Sequence, residues 1–234
     1  ITSADFVLVN GGLGGSPAIT SVTGSGAGPY VVTANNGSVG STGTLGLNLV
    51  DDDSITDASG NKLGGVGVGN GNFTGQVYDI DRVIPTATIE QADTQTDPTG
   101  TSPINFKVTF SEPVLSFTNG DITVSGTAGG TKTVVVTGFN PYNVAISGMT
   151  TSGTVIPTFL AGAASDFAGN GNAAPTIIDN SVQYDMPSFD ILSSANAGGT
   201  ISPLGTTAFN IGQNAVYTMV PAVGNILRTV TVDG

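Results

Sequence analysis

Acidic side chains are the groups in this 234-residue chain whose type and spacing best suit chemistry. Only 9% of the residues are charged, yet the stretch LVDDDSITDASGNKLGG at 49–65 holds Asp51, Asp52, Asp53 and Asp57. Two carboxylates facing one another can hydrolyse a glycosidic bond, and carboxylate oxygens are the ligands that Ca²⁺ prefers. Aspartate is also a turn former, because its side chain accepts hydrogen bonds from its own backbone.

The amino-acid composition removes most catalytic constellations. The chain contains no histidine, cysteine or tryptophan. Without histidine, neither the Ser-His-Asp and Cys-His nucleophile systems nor a His-ligated zinc site can be built. No aromatic-rich platform for a sugar accompanies the carboxylates, which disfavours a glycosidase. The sequence therefore predicts that the protein is not an enzyme and that it has no disulfide.

Charge and hydropathy also exclude two classes of partner. The net charge is −12 and only five residues are basic, which argues against binding to nucleic acid phosphates. No apolar run approaches the roughly 20 residues that span a bilayer, so the sequence predicts no membrane insertion in this segment. The EF-hand spacing fails as well, because Lys62 and Val68 stand where a loop starting at Asp57 needs glycine and glutamate.

The elements that must position the acidic residues are strands. Valine, threonine, serine and glycine abound, while the helix formers glutamate and lysine are scarce. In the stretch INFKVTF, the apolar residues Ile104, Phe106, Val108 and Phe110 alternate with polar ones, which is typical of a half-buried strand. Lys107 falls on the outward face, which disfavours a cross-link to a buried acid.

An internal repeat organises these strands. DFVLVNGG at 5–12 resembles DITVSGTAGG at 121–130, and PYVVTAN at 29–35 resembles PYNVAIS at 141–147. GTLGLNLV with a following D-A-S-G-N resembles GTVIPTFL with D-F-A-G-N, and VYDID resembles QYDMP. The separation between matched segments drifts from 116 to 106 residues, as small loop deletions would make it. Residues 85–120 have no counterpart ahead of Asp5, so we expect the first copy to lack the strands that open the second.

The repeat predicts an all-β chain of tandem immunoglobulin-like β-sandwiches followed by a partial small β domain. We expect an incomplete first copy over residues 1–84, a second copy over residues 85–186 and a four-stranded C-terminal segment over residues 187–234. The second copy is predicted to have seven strands, and no helix should exceed two turns. The predicted strands are 85–91, 104–110, 121–125, 132–138, 142–147, 154–160 and 178–185.

The strand count predicts where acidic residues converge. Domains joined end to end enter at one pole and leave at the other, which requires an odd number of strands. The loops after the second and sixth strands then lie at the entry pole of the second copy. We therefore expect Asp79, Asp81, Glu112 and Asp166 to meet there, either as Ca²⁺ ligands or as ordinary turn formers.

Further acidic groups suggest weaker versions of the same arrangement. The run Asp51–Asp53 could form a similar pole facing a preceding domain, although it also reads as scaffold of a repeated loop. Asp93 and Asp97 could meet Asp185 at the opposite pole, next to the C-terminal segment.

Several motifs carry a resemblance to a known family. F-S-E-P-V at 110–114, F-T-N-G-D-I-T-V at 117–124, D-F-A-G-N at 166–170 and Y-D-I-D-R at 78–82 resemble bacterial Ig-like repeats of large surface proteins and adhesins. G-G-T-I-S-P at 198–203 and V-T-V-D-G at 230–234 are distantly similar to internalin B-repeats. The resemblance implies display outside a bacterial cell, often in adhesion, with neighbouring repeats as partners.

We therefore expect a non-catalytic stalk or adhesive segment at a bacterial cell surface or outside the cell, stiffened by Ca²⁺. Two alternatives stay open. One is a module that binds a cell-surface glycan or protein through its pole loops. The other is a filament subunit assembled by β-strand complementation, since open strand edges invite a strand from a neighbour.

Overall fold

The computed structural model describes residues 1–38 and 40–232, and almost all regular structure in that part of the chain is β-strand. The helical segments described are two 3₁₀ turns of three residues each, Ser3–Asp5 and Asn119–Asp121. The sheets are open, and all strand pairs but one are antiparallel. The predictions of an all-β fold and of no helix beyond two turns are confirmed for the described residues.

The first copy contains five strands in two sheets. Strand β4 lies between β1 and β5 in a three-stranded sheet, and β2 pairs with β3 in a separate two-stranded sheet. All of these pairs are antiparallel. The strands are β1 Phe6–Gly11, β2 Ala18–Thr23, β3 Val31–Asn35, β4 Gly43–Leu49 and β5 Phe73–Ile80.

The second copy contains eight strands. A five-stranded sheet has the order β12-β6-β7-β10-β9, and a three-stranded sheet has the order β13-β11-β8. Lettered in chain order, β6, β7, β10 and β9 are strands A-B-E-D, and β8, β11 and β13 are strands C-F-G, which are the two sheets of the constant-type immunoglobulin sandwich. Strand β12 is an additional strand that extends the first sheet beside β6. The strands are β6 Ala87–Gln91, β7 Ile104–Phe110, β8 Thr123–Ser125, β9 Thr133–Gly138, β10 Tyr142–Ser147, β11 Gly153–Thr158, β12 Thr176–Asp179 and β13 Val182–Tyr184.

The final strand predicted for the second copy differs from the structure. Instead of one strand over 178–185, β12 pairs with β6 in parallel and β13 pairs with β11 in the other sheet. Asn180 lies at the change of sheet, and its buried side chain donates to the carbonyl of Pro157 at 2.7 Å. Alternation of side chains cannot reveal a change of sheet, because both halves keep the same period of two.

Apolar side chains at alternate positions form the core of the second copy. On β7, Ile104, Phe106 and Val108 are fully buried, and on β10 the alternate residues Val144 and Ile146 are equally so. The inward faces predicted for these two strands are confirmed. In the three-stranded sheet, Val155 of β11 and Val182 of β13 are fully buried as well. Burial on one face of each sheet is the pattern of two sheets packed face to face.

The C-terminal segment forms four short strands, as predicted. Antiparallel pairing interleaves them, because β14 pairs with β16 while β15 pairs with β17. Asp233 and Gly234, the last residues of the V-T-V-D-G stretch, lie outside the described residues. The strands are β14 Ser188–Ser193, β15 Gly199–Ser202, β16 Gly205–Asn210 and β17 Thr218–Pro221.

Matched local structures support the internal repeat. In both copies a threonine precedes the 3₁₀ turn and an aspartate three residues later accepts its backbone N–H. The distance is 2.6 Å from Thr2 N to Asp5 Oδ2 and 2.7 Å from Thr118 N to Asp121 Oδ2. The same capping geometry therefore recurs at the separation that the sequence comparison gives.

The chain forms two compact units, and each unit is built from three separate stretches of the sequence. Unit A comprises residues 1–87, 110–117 and 160–174, and unit B comprises residues 88–109, 118–159 and 175–234. Unit A thus contains the first copy together with two loops of the second. The division into 1–84, 85–186 and 187–234 stays a prediction from the sequence.

Candidate functional site

Three carboxylates from distant parts of the sequence meet within unit A. One oxygen each of Asp81, Glu112 and Asp166 lies within 4.8 Å of the other two. Asp166 is 3% exposed, and the other two side chains are half-buried. Among the residues that the structure describes, no other group of three acidic, histidine or cysteine side chains lies this close.

Backbone hydrogen bonds hold the three segments together. Ser111 N donates to Thr86 O at 2.9 Å, so the residue before Glu112 is fixed next to the end of the inter-copy connection. Leu115 and Ser165 form an antiparallel bridge, with Leu115 N donating to Ser165 O at 2.6 Å. These hydrogen bonds between protein groups hold the loops of Glu112 and Asp166 side by side without the help of an ion.

The D-x-x-G-N turn orients Asp166. Its Oδ1 accepts from Asn170 N and its Oδ2 from Asn170 Nδ2, both at 2.8 Å. Asp166 N donates in return to Asn170 O at 3.1 Å. Gly169 adopts φ 91°, a left-handed conformation that glycine accepts at no steric cost. The turn therefore fixes one carboxylate of the cluster by local chemistry alone.

Asn170 also reaches the end of the first copy. Its Nδ2 donates to the main-chain carbonyl of Asp81 at 3.1 Å, so one amide group contacts both Asp166 and Asp81. The Asp81 carboxylate itself accepts from Thr42 Oγ1 at 2.9 Å and from Val83 N at 3.0 Å. This role of Asn170 was not predicted from the sequence. The signal that could have indicated it is the position of Asn170 at the end of the repeated D-x-x-G-N motif.

The electrostatics of the cluster are asymmetric. Burial, followed by repulsion from Asp166 and Asp81, raises the pKa of Glu112 above its ordinary range. The hydrogen bonds from Asn170 lower the pKa of Asp166 despite its burial. Burial and the neighbouring carboxylates thus oppose the ionisation of Glu112.

The donor set fits a hard divalent cation. Ca²⁺ takes about 6–8 oxygen ligands at about 2.3–2.6 Å, so two of its ligands lie at most about 5 Å apart. The mutual distances within 4.8 Å satisfy this limit. Each carboxylate has two oxygens, and water or main-chain carbonyls supply the remaining positions in such sites. The donor set is thus of the kind that Ca²⁺ prefers, and a cation held there would offset the repulsion on Glu112.

Asp79 is not part of this cluster. It was predicted to converge with the other three, but it is exposed and its backbone pairs with Thr44 inside the β4–β5 ladder. Strand β5 continues to Ile80, so the chain leaves the sheet only after Asp79 has been placed on it. Connectivity alone does not determine the last residue of a strand, so Asp79 and Asp81 could not be distinguished from the sequence.

The loop at 49–65 contains the same turn, but among the described residues no group of three carboxylates forms around it. Asp57 Oδ1 accepts from Asn61 N at 2.9 Å, and Asp57 Oδ2 accepts from Asn61 Nδ2 at 2.8 Å. Gly60 adopts φ 86°, which matches its counterpart in the second copy. The motif is therefore a turn former in both copies, and the acidic cluster is added to it only in the second.

Asp51 and Asp53 have structural partners instead. Asp51 is fully buried, and its carboxylate accepts from Gly71 N at 2.9 Å and from Asp53 N at 3.1 Å. Asp53 pairs with Lys62, with Oδ2 3.0 Å from Nζ. The sequence predicted a scaffold loop here but not that one aspartate would be completely buried.

The acidic residues expected at the opposite pole are held by Lys107 and Gln183, and Asp97 and Asp185 share the glutamine. Asp93 pairs with Lys107 at 2.6 Å, and Lys107 also lies 3.2 Å from Glu90. Asp97 accepts from Gln183 N at 2.9 Å, while Asp185 accepts from the side chain of the same glutamine at 3.1 Å. They do not form a three-carboxylate group in the described structure.

No helix among the described residues is long and apolar enough to cross a membrane.

Comparison with known proteins identifies no relative. No family model, curated protein or solved structure matches the chain.

Proposed function

We propose that this chain is a non-catalytic structural or adhesive segment of a larger repeat protein, located at a bacterial cell surface or outside the cell. Its repeats act as spacers, and Ca²⁺ at the acidic cluster stiffens the second copy where the first copy joins it. The observation that supports this best is the meeting of Asp81, Glu112 and Asp166, because it links the end of one copy to two loops of the next.

The repetition itself supports a spacer. The two copies share the pairing of five equivalent strands, β1-β4-β5 with β8-β11-β13 and β2-β3 with β9-β10. They also share the capped 3₁₀ turn and the D-x-x-G-N turn. Neighbouring repeats of the same kind are then the principal partners. The resemblance of motifs such as F-S-E-P-V to bacterial Ig-like repeats is the basis for the proposed location and for adhesion.

The acidic residues have structural partners, which supports a role without catalysis. Asp166 is held by Asn170, Asp53 by Lys62 and Asp93 by Lys107. A carboxylate that works as a nucleophile or proton donor needs space for substrate beside it. Turnover of a glycan or peptide that survives repurification and disappears on mutating one carboxylate would contradict this part of the proposal.

Calcium binding can be tested by thermal unfolding. Chelation should lower the melting temperature, because an ion that binds only the folded state stabilises it by about 2.7 kcal/mol at a hundredfold excess over its Kd. Asp81→Asn combined with Glu112→Gln should remove the difference between calcium and chelator. The two side chains keep their shape, so the strands should remain folded.

A matched control is the pair Asp52→Asn and Asp57→Asn. It removes the same amount of charge from exposed positions outside the cluster. The control should keep the full response to calcium. Coincident melting curves of the metal-free native chain with and without calcium would refute the cation site and leave the turn-former interpretation.

A further inference from the structure

We propose that Asn36, which precedes Gly37, is a site of spontaneous covalent modification. Its side-chain amide is converted to aspartate and to the isomer isoaspartate through a cyclic imide, and Arg82 promotes the conversion. The site lies within unit A, in the segment that follows β3. The proposal goes beyond the spacer function and depends neither on calcium nor on a cell-surface location.

The reaction needs water and no other reagent. The main-chain nitrogen of Gly37 gives its proton to solvent and bonds to Cγ of Asn36, the bond from Cγ to Nδ2 breaks, and ammonia leaves with a proton from water. Water then opens the imide at one of its two carbonyl groups, which yields aspartate or isoaspartate. Glycine favours the first step, because it has no side chain to obstruct the approach. Each conversion adds one negative charge to the segment.

Five asparagines of the chain precede a glycine, so the local sequence favours the reaction similarly at all of them. The structure distinguishes them by the hydrogen bonds of the asparagine side chain and of the glycine N–H. The five pairs begin at Asn10, Asn36, Asn70, Asn119 and Asn170.

Hydrogen bonds restrain the side-chain amide in three of the five pairs. Asn10 exchanges two hydrogen bonds of 2.9 Å with the main chain of Leu13. Asn119 Oδ1 accepts Val136 N at 2.7 Å. Asn170 Nδ2 donates to a carboxylate and to a main-chain carbonyl, as described above. None of these side chains can turn its Cγ toward the following nitrogen without losing hydrogen bonds.

In the Asn70 pair, the attacking nitrogen is restrained instead. Gly71 N donates to Oδ2 of the fully buried Asp51 at 2.9 Å. The carboxylate holds the proton that must leave, and its negative charge opposes the charge that the nitrogen would acquire. Asn70 is therefore protected even though its side chain is exposed.

Asn36 has neither restraint. Its side chain is exposed, and it makes no hydrogen bond within the part of the chain that the structure describes. Gly37 N donates to Oδ1 of Asn35 at 3.4 Å, which is a long bond to a neutral acceptor. The Asn36 side chain can therefore rotate until its Cγ meets the glycine nitrogen.

Arg82 places a positive charge where the reaction develops a negative one. Its Nη2 donates to the main-chain carbonyl of Asn36 at 3.2 Å, and its Nη1 donates to the carbonyl of Ser38. The Asn36 carbonyl belongs to the same peptide group as Gly37 N, so resonance spreads the negative charge of the nitrogen onto the oxygen that Arg82 contacts. A guanidinium stays protonated in proteins, and a positioned cationic donor beside developing negative charge lowers the barrier.

The test follows conversion in the full chain at mildly alkaline pH in chelator, both folded and in concentrated urea. Tandem mass spectrometry of protease digests measures each Asn-Gly pair, and released ammonia gives a second measure. In urea the five pairs should convert at similar rates. In the folded chain the other four should convert at least roughly tenfold more slowly than Asn36, because each must first open locally.

Two results would overturn the assignment of the site. One is conversion of Asn70 as fast as that of Asn36 in the folded chain, because Asn70 is equally exposed and differs in the hydrogen bond to Asp51. The other is a folded chain in which Asn36 stays unconverted over the period in which all five pairs convert in urea.

Arg82→Gln tests the role of the guanidinium. It should slow conversion at Asn36 by roughly threefold or more in the folded chain, because it removes the cationic donor. Added salt should reduce this difference, and Arg82→Lys should keep most of the rate, since the positive charge remains. A merely structural role predicts the opposite change, because a loosened segment would convert faster. An unchanged or faster rate in Arg82→Gln would therefore overturn the role of Arg82.

Discussion

Asp51 shows how an acidic residue can serve the fold instead of a ligand. Its carboxylate accepts two backbone N–H groups, and its carbonyl accepts Gly69 N at 2.8 Å. Asn72 completes the set by accepting Asp51 N at 2.7 Å through its side chain. One buried residue thus fixes both ends of the loop between β4 and β5.

Asp51→Ala should destabilise the first copy by roughly 2–4 kcal/mol, because it leaves the part-buried amides of Asp53 and Gly71 without their acceptor. Asp52→Ala is the control, since Asp52 is exposed and accepts from Ser54 N at 3.0 Å. Its cost should be about 1 kcal/mol or less. Urea denaturation of both variants checks this, and equal losses would contradict the role assigned to Asp51.

Glu112 should make the metal-free protein less stable as the pH rises. Its folded pKa lies above its ordinary value of 4.5, so the folded state binds a proton that the unfolded state has already released. Stability therefore falls from about pH 4.5 up to the folded pKa and is level above it. Asp166 acts in the opposite direction, because its pKa is lowered and its contribution is lost only as the pH falls below 3.8.

Glu112→Gln should remove the decline above pH 4.5 and raise the stability near pH 7 in chelator. Unfolding free energies measured in chelator from pH 4 to 7 provide the check. With calcium present the order should reverse, since the substitution removes a ligand. A native profile that is flat in chelator would contradict the repulsion described for Glu112.

Much of the acidic cluster could be predicted from the sequence. Counting strands located Asp81, Glu112 and Asp166 at one pole, because connectivity alone decides at which end a loop lies. It could not separate Asp79 from Asp81, since that depends on where the β5 ladder ends. Nor could it identify Asn170, whose role depends on a side chain reaching another segment.

At the scale of strands, Val32 and Val144 are a matched pair in different surroundings. Val144 is 0% exposed in a strand with two neighbours, and Val32 is half-buried in a strand with one. Val144→Ala should cost about 2 kcal/mol or more, because it leaves a cavity in a closed core. Val32→Ala should cost clearly less. Urea unfolding, with amide exchange to assign each transition, measures both, and equal costs would contradict the difference in burial between the two valines.

The alternation of apolar residues predicted most strands of the second copy, because burial on one face imposes a period of two. The change of sheet between β12 and β13 was missed. It is set by Asn180 and by the neighbouring strand β6, which are tertiary contacts that no local pattern records.

For the whole molecule, charge and open edges act against each other. The net charge of −12 makes separate molecules repel one another at neutral pH. Unpaired strand edges and exposed apolar residues such as Leu192 and Val232 favour association between molecules. Self-association should therefore be greatest near the sequence pI of about 4.1, measured by light scattering across pH. Asp52→Lys with Asp79→Lys should move this maximum to higher pH. A maximum that stays in place would indicate one specific titrating group instead of net charge.

The acidic cluster also has a mechanical consequence. Asp81 and Asp166 enclose 84 intervening residues, and Glu112 lies between them in sequence. Fully extended, that length of chain spans roughly 280–300 Å. An ion held by all three carboxylates would link Asp81 to Asp166 and prevent the intervening residues from extending when the chain is pulled from its ends. Releasing the ion would free these residues, so the extension of the chain under load would depend on the calcium concentration around it.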